Sequence, residues 1–287
     1  MSGFIMQVGG PLQSWGEHSA FNDRDTVAHP TRSGLIGLIA SALGIPRDQA
    51  VGGTGDRDEP TLFERLGHLR FTVRHDRPGT RVRDYHTIGG GLPAHRTVPT
   101  AKGGRRGAGQ TTIISHRHYL ADAVFTIAVT APEAPDPTEL TTVCAAALAA
   151  PRWPLYLGRR SCPPGAPLVV ATQVSDPVSE LLTGVPLARV RPRTPHTTDR
   201  EATVPVRFTA DAPFPVGFPV TVSSRASVTS LNDEPVRLTQ RDRVYRSRPS
   251  YAASCRLPAD LCKGYGPAYL DELIAYLRPP APQEADA

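Results

Sequence analysis

The sequence predicts an α+β protein: a ferredoxin-like, RRM-like domain over residues 1–165, a basic arm or thumb inserted at 76–110, and a smaller β-rich domain over 166–278. Three observations carry this reading. Apolar runs alternate between strand and helix periodicity in the order strand, helix, strand, arm, strand, strand, helix, strand. With the arm set aside, that is a βαββαβ pattern. The arm holds Gly79, Gly89, Gly90, Gly91, Gly103, Gly104, Gly107 and Gly109 among basic side chains, so it buries little apolar surface. Beyond residue 166 short strand-like runs follow one another, separated by Pro and Asp breaks.

The first strand is the apolar run Phe4 to Val8, stopped by Gly9-Gly10-Pro11. A helix follows from Thr31 or Ser33, either of which can cap it, to Gly44, placed for a left-handed C-cap. Leu35, Ile36, Leu38, Ile39, Ala42 and Leu43 surround most of this helix, so it is buried. Gly37 costs about 1 kcal/mol against Ala in an exposed helix, which points to close packing of a neighbour. Its N-terminus joins free N–H groups, hydroxyls and Arg32, a combination that suits phosphate as well as plain capping.

Residues 46–61 form a polar loop, Leu62 to Leu66 a short helical turn, and Leu69 to His75 a strand with one apolar face. After the arm, Thr111 to Tyr119 and Ala123 to Thr130 are strands joined by Leu120-Ala121-Asp122. The first puts His116 and His118 on one face and Arg117 on the other. Asp136-Pro137-Thr138 opens a helix to about Ala149. Leu155-Tyr156-Leu157 then reads as a strand running into Gly158-Arg159-Arg160-Ser161. In the second domain the strand-like runs are Leu168 to Val174, Val204 to Thr209, Phe218 to Val222 and Val236 to Leu238. Arg241, Arg243, Arg246 and Arg248 cluster there and read as solvated surface. Residues 279–287 have the composition of a disordered tail.

Composition excludes several classes. No run of 18 apolar residues exists, so no membrane span is expected. The first strand begins without a basic leader, so the expectation is a cytoplasmic protein. Cys144, Cys162, Cys255 and Cys262 form no CxxC pair, so neither a zinc site nor a disulfide framework is expected, and no cofactor is implied. The net charge is +5, and residues 65–118 hold 11 Lys+Arg against Asp76 and Asp84, a local +9. A basic segment on an otherwise slightly acidic chain marks a polyanion partner.

Four weak features therefore converge on single-stranded nucleic acid. Gln13-Ser14-Trp15 follows the first strand, Arg32-Ser33 opens the helix, the basic arm carries Arg83, Arg96, Lys102, Arg105 and Arg106, and Gly158-Arg159-Arg160-Ser161 closes the pattern. Arg and backbone amides grip phosphates while rings stack on bases. Trp15 reads equally as a stacking platform or a core plug. Tyr85, His86, His116 and Arg117 lie in the same basic region. A His with a Tyr and a cation is nearly sufficient for metal-independent RNA cleavage, so an endoribonuclease is the rival reading. Against it stands the scarcity of lysine: Lys102 and Lys263 are the only two.

Gly10-Pro11-Leu12-Gln13-Ser14-Trp15-Gly16, Pro30-Thr31-Arg32-Ser33-Gly34-Leu35-Ile36-Gly37-Leu38, Arg83-Asp84-Tyr85-His86-Thr87, His116-Arg117-His118-Tyr119 and Leu155-Tyr156-Leu157-Gly158-Arg159-Arg160-Ser161-Cys162-Pro163 together carry a family signature. The combination, in order over residues 4 to about 165, resembles the CasD (Cas-five) family of subunits in type I-E CRISPR Cascade. The resemblance implies a RAMP-type fold and a non-catalytic RNA-binding subunit of an antiviral surveillance complex. It implies that the first domain caps the 5′ handle of the guide crRNA. It further implies that the arm reaches a neighbouring backbone subunit, that the large PAM-reading subunit docks nearby, and that target DNA is met only indirectly.

Overall fold

The computed structural model describes residues 2–17, 22–51, 59–91, 93–100, 102–107, 111–192, 202–221, 227–239 and 243–277. The fold is α+β and is built on one large antiparallel sheet. Within it β1 (Gly3–Gly9), one strand in from an edge, pairs with β7 (Val124–Thr130) on one side and with the edge strand β8 (Val169–Val174) on the other. β4 (Arg70–Arg77) lies beside β7, and β9 (Thr203–Ala210) beside β4. A long hairpin, β10 (Ser227–Leu238) and β11 (Arg243–Pro258), completes the order β10-β11-β9-β4-β7-β1-β8.

Strand periodicity divides the side chains of β1 between two cores. Phe4, Met6 and Val8 join Phe71, Val73, Phe125, Ile127 and Val129 beneath helices α1 (Arg32–Leu43) and α3 (Pro137–Ala149). Ile5 points to the other face, with Val170, Leu181, Leu187, Val206, Phe208 and Cys255. That second face is covered by α4 (Pro177–Thr183) and α5 (Gly266–Leu277). With both faces covered, β1 is continuously apolar apart from Gln7, as a doubly buried strand must be. Gln7 is satisfied: its Nε2 donates to Thr126 Oγ1 (3.0 Å) and to the Tyr269 hydroxyl (2.6 Å), tying α5 to the sheet.

The same face holds a buried ion pair. Arg74 Nε donates to Asp76 Oδ1 (2.6 Å) and Nη2 to Asp76 Oδ2 (3.0 Å). The remaining Arg74 donors reach the carbonyls of Leu181, Val185 and Pro186 at 2.7–2.9 Å. A buried pair of this kind is tolerated because each polar atom finds a partner.

Helix α1 begins and ends as its sequence dictates. The Thr31 side chain, rather than Ser33, accepts from the Gly34 N–H, and Gly44 closes the helix in the left-handed region at φ 73°. Helix α3 starts with Asp136 as N-cap and Pro137 in the first turn. α2 (Leu62–Arg65) is a single turn with a complete Thr61–Glu64 capping box.

A second, smaller sheet stands off the first. β6 (Thr112–Ala121) pairs along its whole length with β5 (Thr80–Gly89), and also with the two-residue strands β2 (Leu12–Gln13) and β3 (Asp23–Arg24). The arm therefore begins as a regular β-ribbon, and its described tip carries a Pro99–Arg105 bridge. Three expectations change. The segment Leu155-Tyr156-Leu157 is a turn, with Leu157 N–H bonded to Cys162 O (2.7 Å), and the strand beside β1 is β8 instead. The boundary expected at 165/166 is crossed by the sheet, because β8 pairs with β1 and β9 with β4. Phe218 belongs to no strand: it stacks on Phe214 (4.5 Å) and meets Phe208 edge-on, plugging the second core from a loop. Residues 279–287 and Arg241 lie outside the described residues.

Candidate nucleic-acid interface

A cleft of about 820 Å³ opens along one side of α1. Its floor is the helix face bearing Ser33, Gly34, Gly37 and Ser41. One wall is the strand end Ser14-Trp15-Gly16 with the turn Trp153 to Arg160; Arg24 and Asp25 from β3 and the connection after it close that side. The far wall is the end of the β10–β11 hairpin, with Leu238, Arg243 and Tyr245. The charged lining is Arg24, Arg47, Arg159, Arg160 and Arg243 against Asp25 alone. Such a one-signed concavity concentrates anions. Trp153, Tyr156 and Tyr245 add three aromatic side chains.

The near wall is fixed by close backbone approach. Ser14 N–H donates to Leu157 O (3.0 Å). Gly158, at φ 93°, sits so near that a Cβ would overlap the Ser14 carbonyl oxygen. Glycine is required there on both counts. Trp15 is held by its N–H to Thr26 Oγ1 (2.8 Å) and its indole N–H to Gln13 Oε1 (2.9 Å). Gln13 Nε2 donates in turn to Ala123 O (2.7 Å).

The sequence-derived residues separate into three groups. Ser14, Ser33, Arg159 and Arg160 come together at the cleft, with Ser161 beside it, its Oγ 3.4 Å from the Tyr119 hydroxyl. Arg159 is braced: Nη1 donates to His118 O (2.9 Å), Nη2 to Arg24 O (2.7 Å), and its guanidinium carbon lies over the Tyr119 ring, 4.8 Å from the centroid. Arg160 is exposed and has no ion pair among the described residues.

A second group stays on the arm. Arg83 faces His118 across the β5–β6 ribbon, Tyr85 faces His116 with ring centroids 5.7 Å apart, and His86 faces Ser115. His86 Nδ1 lies 3.3 Å from Asp84 Oδ2, and Arg117 Nε 3.4 Å from Ser115 Oγ. Arg96, Lys102, Arg105 and Arg106 occupy the tip, where Arg105 Nη1 donates to Thr97 O (2.8 Å). The ribbon root meets the cleft through the Arg81–Asp25 ion pair.

The third group is corrected. Arg32, Gln13 and Trp15 are 2%, 0% and 1% exposed and cannot grip a strand with their side chains. Arg32 is consumed inside the protein. Nη1 donates to Asp211 Oδ2 and to Leu69 O, both 2.6 Å, Nη2 to Gly67 O (2.8 Å), and Nε pairs with Glu234. The α1 N-terminus is filled too, since the Arg32 N–H donates to Asp233 Oδ2 (2.7 Å). A carboxylate of β10 thus occupies the place read as a phosphate site. Trp15 takes its core-plug role, and Gly34 exists to admit it, a Cβ there falling 2.7 Å from the indole.

Linear charge also overstated the basic segment 65–118. Arg65, Arg70, Arg77 and Arg81 pair with Glu139, Glu133, Asp122 and Asp25, all outside residues 65–118, and Arg74 with Asp76. Arg24, Arg47, Trp153, Tyr156, Arg243 and Tyr245 were missed, being scattered over 222 residues and joined only by the fold. Arg243 lines the cleft, whereas its neighbour Arg248 is spent on Asp233 (2.7 Å). The four cysteines are buried; burial pushes Cys144 up to about 12 and Cys255 to about 11, which leaves them unreactive. Among the described residues no helix is long and apolar enough to cross a membrane.

A family model described as "CRISPR-associated protein (Cas_Cas5)" matches residues 3–250. The chain belongs to the Cas5 family of CRISPR-associated proteins. It is 35% identical over 198 residues to the CRISPR system Cascade subunit CasD of Escherichia coli (strain K12), covering 64% of this chain and 77% of that protein. It also superposes on a chain of a CRISPR RNA-guided surveillance complex at TM-score 0.76 and 43% identity, covering 96% and 99% of the two chains. A solved Cas protein at 24% identity and TM-score 0.53 shares the fold.

Proposed function

We propose that the chain is the CasD-type subunit of a type I-E Cascade surveillance complex and that it binds the 5′ handle of the guide crRNA in the cleft over α1. The observation that carries this is the lining: five Arg against one Asp, with Trp153, Tyr156 and Tyr245 beside them, in a cleft of about 820 Å³. Arg47, Arg160 and Arg243 contact phosphates, and Trp153, Tyr156 and Tyr245 supply faces for bases. Arg83, Tyr85, Arg96, Lys102 and Arg106 on the arm continue the track toward a neighbouring backbone subunit. The large PAM-reading subunit lies nearby, and target DNA is met through the complex. The order β4-β7-β1-β8, with α1 and α3 on one face, supports a ferredoxin-like, RAMP-type unit. Strands β9, β11 and β10 then extend its sheet, and the β10–β11 hairpin supplies the far wall.

The subunit is read as non-catalytic. In the rival endoribonuclease, His86 or His116 would be the general base; the register gives them opposite faces of the β5–β6 ribbon, so the two do not act as a pair. Incubating the full chain with repeat RNA in EDTA tests this: specific cleavage lost in His86→Ala or His116→Ala overturns the non-catalytic reading. For the cleft, photocrosslinking the full chain to 5′ handle RNA is expected to label Trp153, Tyr156 or Tyr245. Efficient crosslinks confined to other surfaces would sink the assignment.

A further inference from the structure

Two glycines stand one turn apart on α1, and the structure explains only one of them. Gly34 makes room for the Trp15 indole. A Cβ on Gly37 would meet nothing within 4 Å, although Gly37 lies in the middle of a twelve-residue helix. Glycine there lowers helix stability and no packing contact requires it. The position is also far from solvent-facing chance: Gly37 is on the cleft floor, with Ser33 and Ser41 four residues to either side on the same face.

We propose that Gly37 is the seat of one nucleotide of the bound RNA, its sugar or base lying flat against the α1 backbone. The absent side chain leaves the helix surface low enough for that approach, while Arg160 and Arg243 hold phosphates on the two walls. The Ser33 and Ser41 hydroxyls flank the seat as partners for the ribose 2′-hydroxyl or a base edge. Gly37 is thus a specificity position kept for the ligand and not for the fold. This rests on the cleft being the RNA site.

The test separates the two ideas. Full-length wild type, Gly37→Ala, Gly37→Leu and the Arg160→Glu/Arg243→Glu double variant are titrated with fluorescein-labelled single-stranded 5′ handle RNA, and their melting temperatures are measured. Both Gly37 variants are expected to melt at or above the wild-type temperature. Gly37→Leu is expected to weaken RNA binding by about tenfold or more, the size of losing one stacked base, with Gly37→Ala in between. If the double Arg variant loses binding but Gly37→Leu binds like wild type, the seat at Gly37 is overturned while the cleft stands. If neither the Arg nor the Gly37 substitutions affect binding, the cleft assignment itself falls, and this inference with it. A lower melting temperature in Gly37→Ala would show that the glycine serves packing, and also overturns the proposal.

Discussion

The Arg32 guanidinium meets the Asp211 carboxylate at 2.6 Å, with the two side chains 1% and 4% exposed. This pair, joined by Glu234 and Asp233, ties the start of α1 to the far hairpin. It builds the cleft without lining it. Removing Arg32 strands buried carboxylates, so Arg32→Ala is expected to cost about 3–5 kcal/mol in denaturant unfolding. Arg32→Lys recovers little, because one ammonium cannot serve two carboxylates and two carbonyls at once. Stability of Arg32→Ala within about 1 kcal/mol of wild type would contradict the assignment.

Gly158→Ala combines a disfavoured backbone conformation with overlap on the Ser14 carbonyl. The expected loss is about 2–4 kcal/mol, with the near wall displaced and RNA affinity lowered together. Retained stability with intact binding would show that the turn yields easily.

Acid should weaken the fold near neutrality. Burial, then the neighbouring His29 and Arg207, holds His75 well below 6.5, and burial lowers His29. The unfolded chain takes up protons near 6.5 that the folded chain refuses. Their contribution is therefore complete above 6.5 and shrinks as pH falls from there toward the lowered values. Urea midpoints at pH 7.5 and 5.5 should differ, and His75→Asn should reduce the difference. A flat profile in wild type would count against buried neutral imidazoles.

RNA affinity should track salt. With four or so phosphates neutralised, the slope of log K against log salt is expected near about −3 for a single strand, and Arg160→Ala should flatten it by about 0.7. An unchanged slope in that variant would remove Arg160 from the phosphate contacts.

Local chemistry was legible in the sequence where it acts locally. The Thr31 cap, the Gly44 stop, the Asp136-Pro137 start and the alternation of Leu69 to His75 all act within a few residues. What failed depended on distance. Arg32 looked like a phosphate ligand because Asp211, Asp233 and Glu234 lie about two hundred residues away in sequence. Leu155 and Leu157 are apolar and buried, yet Leu157 bonds to Cys162 and Ser14 outside any strand ladder, a distinction hydropathy does not carry. The cleft was half visible: Ser14, Ser33, Arg159 and Arg160 sit in short motifs, whereas Arg47, Arg243 and Tyr245 lie in segments whose neighbours are solvated.

The position of β1 has a consequence for synthesis. β1 is an inner strand of the sheet made well before either of its partners, and the nearer of these in sequence begins at Val124, paired with Gly9. At 5–20 residues per second, roughly 6–23 s separate the two on the ribosome. Its other neighbour, β8, comes later still. Through that interval a nearly uninterrupted apolar strand has no sheet to join. Newly made chains are therefore open to aggregation through this strand before β7 emerges.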